Sequence, residues 1–137
     1  MISKTAAMRF ALVIALLLVG CGNGARDLLD TSWRLVEIDG QAPLAGAEVT
    51  LQFEPDAVSG STGCNHYFGE YKAGSNELTF GLLAQTEMAC MEPAGIMVQE
   101  RNYLDALSRS EQYSLSESQL RILCEGGEEL VFAEADD

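Results

Sequence analysis

Residues 48–54, EVTLQFE, carry the clearest strand signal in the chain. Val49, Leu51 and Phe53 alternate with polar residues, which is the pattern of a strand with one buried face. The Gly-Gly pair at 126–127 permits the positive φ angles of a tight hairpin turn. Weaker alternation occurs at 32–38, 64–72, 77–80, 85–89, 111–116, 119–124 and 129–133. The sequence therefore predicts an antiparallel meander.

Residues 93–109 break this alternation and have a helical period. Their five apolar side chains span about 120° of a helical wheel; they are Ile96, Met97, Tyr103, Leu104 and Leu107. Glu100 falls inside this apolar arc, where a carboxylate must reach water, stay neutral or find hydrogen-bond donors. Three interpretations stay open: a slightly rotated helix whose Glu100 reaches solvent, a Glu100 that caps a buried polar turn, and a catalytic carboxylate.

The charge balance limits the partners of the protein. The 137 residues carry a formal net charge of −13. Removal of residues 1–20, which contain Lys4 and Arg9 and no acidic residue, would leave 117 residues with a charge of −15. We expect one domain of this length. Nucleic acid is not an expected partner, because phosphate binding needs a basic surface.

The first 20 residues have the features of an export signal. Two basic residues precede an unbroken apolar run of ten at 10–19. A bilayer-spanning helix needs about 20 apolar residues, so this run is typical of a signal peptide. Residues 18–21, LVGC, resemble a bacterial lipobox, in which the cysteine becomes the acylated first residue. The alternative is an ordinary secretory signal that is cut elsewhere.

These features predict how the protein is located and divided. Cys21 is the expected lipidation site, and its acyl chains would attach the protein to a membrane. Gly22 stands where Asp would retain a lipoprotein in the inner membrane, so we expect an outer-membrane lipoprotein that faces the periplasm. The expected divisions are a signal peptide at 1–20, a lipidated N-terminus and tether at 21–30, a domain at 31–133 and an acidic tail at 134–137.

Three further cysteines would lie in a compartment where thiols tend to oxidise. Cys124 shares a strand face with apolar residues and is interpreted as a small buried side chain. We favour a disulfide between Cys64 and Cys90, which would close a loop of 26 residue steps and stabilise the fold by about 3 to 4 kcal/mol. A zinc site of these three cysteines with His66 is the alternative. The Cys-x-His spacing is atypical of zinc sites, and His66 is interpreted as exposed.

The sequence has no motif that indicates catalysis. There is no glycine-rich phosphate loop, no serine elbow and no calcium loop. Cys64 with His66 lacks an identifiable third group that would orient a catalytic pair. We therefore expect a protein that is not an enzyme, with no catalytic residue, no cofactor and no metal.

Residues 60–71 read GSTGCNHYFGEY and residues 86–90 read TEMAC. Together they resemble the META domain family, which includes the heat-shock lipoprotein HslJ and whose pattern is a leading tryptophan, G-x-x-G-C-N-x-Y-x-G-x-Y, T-x-M-A-C and a helical glutamate. The resemblance covers residues 31–133. The matching positions besides the two cysteines include Trp33, Gly63, Asn65, Tyr67, Gly69, Tyr71, Thr86, Met88 and Glu100.

The resemblance implies a mainly β (α+β) fold, with the antiparallel meander curled into a partly open barrel that packs against the helix at about 93–109. It also implies the bridge between Cys64 and Cys90, and a bacterial envelope protein tied to stress tolerance without an established enzymatic activity. The family's likeness to pilot lipoproteins of secretion systems is an analogy of fold.

We expect the residues Gly63-Cys64-Asn65 to form a stapled polar corner, in which Asn65 tolerates a left-handed backbone and bonds to nearby peptide groups. Glu100 is expected to accept hydrogen bonds from this corner or from Tyr67 or Tyr71.

Three functional classes remain. The first is a monomeric module that docks on an envelope protein, and such a module would present an exposed apolar patch. The second is a carrier of a small apolar ligand, which needs a pocket inside the barrel. The third is a hydrolase or redox enzyme, which needs perturbed titratable groups in a cleft.

Overall fold

The computed structural model describes residues 28–116 and 118–136. In this part of the chain there are nine strands and one complete helix, α1 (Ile96–Ser108). The strands are β1 (Ser32–Ile38), β2 (Thr50–Glu54), β3 (Ala57–Ser61), β4 (His66–Ala73), β5 (Leu78–Phe80), β6 (Ala84–Gln85), β7 (Ser110–Ser116), β8 (Gln119–Cys124) and β9 (Glu129–Glu134). The expected mainly β fold with a helix in the region of 93–109 is confirmed for these residues.

The strands form one sheet in the order β5-β4-β3-β2-β1-β9-β8-β7, and β6 pairs with β4. All pairings are antiparallel. The two ends of the sheet meet at a bridge between Glu77 and Gln112, and the Tyr113 N–H donates to the Asn76 carbonyl at 2.8 Å. The sheet is therefore a nearly closed barrel, as the family resemblance implies.

Strand β3 was missed by the sequence analysis. Its sequence AVSGS contains one large apolar residue, Val58, so it gives too short an alternation to be recognised. Gly60 allows a close approach at this point: a Cβ atom there would lie 2.0 Å from the Thr50 carbonyl oxygen and 2.7 Å from the Tyr67 hydroxyl. The predicted strand at 85–89 is wrong in extent, since only Ala84–Gln85 pairs as a strand.

Large side chains fill the barrel interior. The largest that are fully buried include Tyr67, Tyr103, Phe53, Phe132, Leu51, Leu120, Ile122 and Leu130. Leu28 is also fully buried and belongs to this core. The packed domain thus begins at least three residues before the expected start at Thr31, within the stretch that we interpreted as a tether.

Helix α1 packs its inner face into this core. The Tyr103 ring lies edge-on to Tyr67, with ring centroids 5.7 Å apart, and to Phe132, at 6.4 Å. Ala106 and Leu107 on the next turn are fully buried. The helix thereby joins β4 to β9 through the barrel interior.

The C-terminal hairpin follows the sequence expectation. Gly126 and Gly127 have φ angles of 88° and 89°, and they connect β8 to β9. Glu134, which we assigned to the solvated tail, ends β9 and pairs with Trp33.

No helix among the described residues is long and apolar enough to span a membrane. The predicted signal peptide and Cys21 lie outside the described residues.

We predict that Gly60→Ala destabilises the domain by about 2 to 4 kcal/mol, because the new methyl group would overlap the Thr50 carbonyl. Gly81→Ala is the matched control: its Cβ would find its nearest neighbours at 3.6 and 3.8 Å, which is ordinary contact. Urea unfolding of both variants measures the difference. Equal stabilities would contradict the close approach of β2 and β3.

Candidate functional site

A four-residue corner, Thr62 to Asn65, joins β3 to β4 and is the centre of the motif positions. The Thr62 N–H donates to the Asn65 carbonyl at 2.8 Å, and the Asn65 N–H donates to the Thr62 hydroxyl at 2.9 Å. Gly63 has φ 92°, whereas Asn65 is not among the residues with positive φ. The left-handed backbone that we expected at Asn65 is therefore found at Gly63, while the expected bonds of Asn65 to nearby peptide groups are confirmed. Glycine takes that conformation without steric cost, and Asn65 keeps an ordinary backbone.

Glu100 of α1 lies against this corner and is only 3% exposed. Its carboxylate accepts hydrogen bonds from the Thr62 hydroxyl, from the Asn65 N–H at 3.2 Å and from the Asn65 side-chain amide at 3.0 Å. Of the open interpretations, the structure has the buried cap rather than the solvent-reaching side chain. All of these donors are uncharged, so hydrogen bonds alone offset the loss of water around the carboxylate.

Asn65 connects the corner to the segment that follows β6. Its Oδ1 accepts the Met88 N–H at 2.7 Å and the Thr86 hydroxyl at 2.8 Å. Its Nδ2 donates to Glu100 and to the Met88 carbonyl at 3.0 Å. Every hydrogen-bonding direction of this amide is used, so Asn65 holds three chain segments in one arrangement.

The disulfide between Cys64 and Cys90 fastens the same two segments, with Cα atoms 6.0 Å apart. A small apolar cluster surrounds it, in which Ala47 and Ile96 are also buried. The polar corner is thus covered by apolar contacts on the side of the β1–β2 loop. Because the bridge uses both sulfurs, the alternative of a zinc site with these cysteines does not fit. His66 is exposed.

The tyrosines of the motif bond to groups other than Glu100. The Tyr67 hydroxyl donates to the Thr50 carbonyl at 2.7 Å and lies 2.7 Å from the Tyr103 hydroxyl. Burial raises the pKa of Tyr67 well above its ordinary value, and the neighbouring Tyr103 raises that pKa further. Tyr71 packs edge-on to Phe53 at 4.9 Å. Of the two alternatives that we gave for Glu100, the corner provides the donors, and the tyrosines do not.

The remaining motif positions support the barrel wall. Trp33 is buried, and its indole N–H donates to the Thr31 hydroxyl at 2.7 Å. Gly69 lies against the loop after β5, where a Cβ would be 2.8 Å from the Leu83 side chain and 2.9 Å from the Leu82 carbonyl oxygen. The structure thus gathers Gly63, Asn65, Thr86, Met88 and Glu100 at the corner, while Trp33, Gly69 and Tyr71 lie elsewhere.

A second feature, which we name the outer apolar face, lies on the outside of β3, β4 and β6 and includes the β5–β6 loop, which carries Leu82. Leu82 is 93% exposed and Phe68 is 58% exposed, and Ala57 and Ala84 lie with them around a shallow hollow of 460 Å³. The hollow is also lined by Glu54 and Glu70. An exposed aromatic and a nearly free leucine in one hollow are typical of an interaction surface.

Comparisons with known proteins identify the family of this chain. The fold and corner define a small, disulfide-stapled β-barrel with a packed helix. Its buried polar clasp is the set of hydrogen bonds that join Glu100 to Thr62 and Asn65. The model of the META domain matches residues 26–137, and the chain therefore belongs to the META domain family. No protein of curated function matches the chain significantly.

Solved structures have the same fold. An NMR structure of a protein from Burkholderia xenovorans is 30% identical, covers 99% of this chain and 100% of its own, and has a TM-score of 0.66. A second NMR structure is 26% identical over 81% of this chain and 94% of its own, with a TM-score of 0.64. A crystal structure of a DUF4847 family protein from Bacteroides vulgatus is 12% identical over 82% and 97%, with a TM-score of 0.63, and shows the fold alone.

Sequence reasoning missed two residues of the site. Thr62 provides a donor to Glu100 and also closes the corner turn, and the signal for it was its position one residue before Gly63. Gln99 accepts the Leu44 N–H at 2.6 Å through its Oε1. No sequence pattern linked Gln99 to a loop 55 residues away.

We predict that Glu100→Gln lowers the stability by about 2 to 4 kcal/mol. The new amide would turn an NH2 group toward the donors of Thr62 and Asn65, leaving buried groups unpaired. Glu87→Gln, at an exposed position, is the matched control. Thermal and urea unfolding of the two variants give the comparison, and an unchanged Glu100→Gln protein would contradict the clasp.

Cys124 yields a prediction on pH. The side chain is a free thiol, 1% exposed, and burial raises its pKa to about 11. The unfolded thiol loses its proton at lower pH than the folded one, so the stabilising contribution is complete below the ordinary value of 9 and is lost as the pH rises toward 11. We expect Cys124→Ala to reduce the slope of melting temperature against pH in that range. Parallel curves for the two proteins would refute this.

Proposed function

We propose that this META domain protein is a non-enzymatic docking module of the bacterial envelope that supports stress tolerance. In this proposal, acylated Cys21 holds the barrel at the outer membrane on its periplasmic side. The outer apolar face then binds an envelope protein.

The exposure of Leu82 and Phe68 carries this proposal. A monomeric soluble domain gains stability by covering such side chains, so their exposure favours an intermolecular contact. Glu54 and Glu70 line the same hollow. They favour a partner surface with an apolar side chain between Lys or Arg residues.

The same carboxylates argue against a membrane as the occupant of the outer apolar face. An anionic lipid surface would be repelled by Glu54 and Glu70 and by the net charge of −15 that remains without residues 1–20.

The buried groups favour a binding role over an enzymatic one. Glu100 is engaged by Thr62 and Asn65, and Cys64 and Cys90 are bonded to each other. These groups hold the fold together, and they are therefore less available to react with a substrate.

A carrier of small apolar ligands is the alternative, and it needs space inside the barrel. Tyr67, Tyr103 and Phe132 occupy that interior with fully buried rings. This packing favours the docking module.

We predict that a photoreactive phenylalanine analogue at Phe68 or at Leu82 crosslinks to the same envelope protein in living cells. The matched control is the analogue at Leu123, which is 38% exposed on β8. Leu82→Asp should abolish the product formed from position 68. Crosslinking to lipid, identical products at position 123, or no product at either face position would contradict the proposal.

Non-reducing mass spectrometry of the protein purified from envelopes tests the anchor. The expected species begins at an acylated Cys21, keeps the bridge between Cys64 and Cys90 and has a free thiol at Cys124. A soluble protein without acyl chains would overturn the anchoring half of the proposal.

A further inference from the structure

We propose that a groove between the β1–β2 loop and the start of α1 binds an extended peptide segment in which an apolar residue adjoins a Lys or Arg. We name it the loop–helix groove. Its volume is 510 Å³, within the usual size of ligand sites. It shares no lining residue with the outer apolar face and is a separate site.

Gln99 supplies the central observation. The residue is 9% exposed and lines the groove. Its Oε1 accepts the Leu44 N–H at 2.6 Å, whereas its buried Nε2 has no hydrogen-bond partner among the described residues. The amide cannot exchange its two ends, because an NH2 group facing the Leu44 N–H would lose the existing hydrogen bond.

A buried NH2 group without a partner costs free energy. Because the Gln99 Nε2 atom has almost no exposed surface, the side chain must turn toward the groove to bring this group within reach of an acceptor there. The acceptor chemistry is restricted by the neighbouring charges. Asp39 and Glu128 line the same groove. Glu128 is paired with Arg109, so the carboxylate of Asp39 is the group that would repel an anionic ligand. A neutral carbonyl oxygen of a peptide main chain therefore fits Gln99 better than a carboxylate or a phosphate does.

The carboxylates also select a cation. The lining residues include no Lys or Arg. Arg109 already binds Glu128 at 2.6 Å from outside the groove, whereas Asp39 is in none of the ion pairs of the described residues. A basic side chain beside Asp39 would gain a charge-assisted hydrogen bond.

The groove offers apolar contacts between the positions proposed for the carbonyl and for the basic side chain of the peptide. Val98 is 51% exposed on α1, and Leu44, Ala42 and Ile38 line the opposite side. A simple amine would occupy only the position beside Asp39. An extended peptide with adjacent apolar and basic residues provides an acceptor for Gln99, an apolar contact and a cation.

The Asp39 end of the groove is held in place. The Asp39 N–H donates to the Glu129 carbonyl at 2.8 Å, and Ile38 and Gln41 exchange two main-chain hydrogen bonds at 2.8 and 3.0 Å. Since Gln99 holds the other end of the loop through Leu44, the groove is largely formed before binding, which lowers the cost of association.

The test is an NMR titration of the full domain with two acetylated and amidated tetrapeptides, Ala-Leu-Lys-Ala and Ala-Leu-Glu-Ala. The side-chain NH2 resonances of Gln99 report directly on the proposed contact. We expect saturable shifts of these resonances, and of Val98 and Asn102, at millimolar concentrations of the lysine peptide. The glutamate peptide should bind about fivefold more weakly.

Two variants of the groove test the polar and the apolar contacts with the peptide separately. Asp39→Asn removes the carboxylate proposed to bind the cation, and asparagine tolerates the left-handed backbone of this position (φ 48°). It should therefore weaken the lysine peptide about fivefold while the melting temperature stays near that of the parent. Val98→Ser should also weaken binding, whereas Leu82→Ser, on the outer apolar face, is the matched control and should not. Absent shifts, equal affinity for the two peptides, or undiminished binding by both groove variants would overturn the proposal.

Discussion

The structure depends on one buried carboxyl group, that of Glu100, whose hydrogen-bond donors among the described residues are all uncharged. Glu100 is 3% exposed, and its bonds come from the hydroxyl of Thr62 and from the main chain and side chain of Asn65. Burying such a group is strongly unfavourable unless every donor is in position. The position of α1 and the shape of the β3–β4 corner therefore determine each other. Neither arrangement can shift while the other stays.

This constraint explains why distant positions of the sequence cluster at one place. Asn65 uses its remaining bonds on Thr86 and Met88, so the long surface segment after β6 is tied to the same corner. The disulfide ties that segment a second time. Phe68 projects from β4, the strand that follows this corner, and presenting an apolar side chain from a fixed strand lowers the entropic cost of docking. The two proposed binding surfaces thus share one support.

The sequence was informative where a single local pattern decides the structure. Alternation located β1 and β8 to the residue, and the Gly-Gly pair located the last hairpin. The sequence was not informative where contacts between distant segments determine the structure. Strand β3 has little apolar signal of its own and exists because Gly60 lets β2 and Tyr67 come close.

The same distinction between local patterns and long-range contacts applies to the candidate site. The resemblance to META domains indicated Asn65 and Glu100, but it could not show which residue has the left-handed backbone or that Thr62 contributes a donor. Gln99 lies next to Glu100 on the buried side of α1, where an amide has no local signature. Its role appears only when the β1–β2 loop is placed against the helix.

A double-mutant cycle on Asn65→Ala and Glu100→Ala tests the central claim most directly. If the carboxylate and the amide form one clasp, either substitution alone already removes most of the stabilisation that the other would remove. The account predicts a coupling free energy of unfolding of about 2 kcal/mol or more. Additive effects within about 0.5 kcal/mol would mean that the helix and the corner are stabilised independently, and would contradict it.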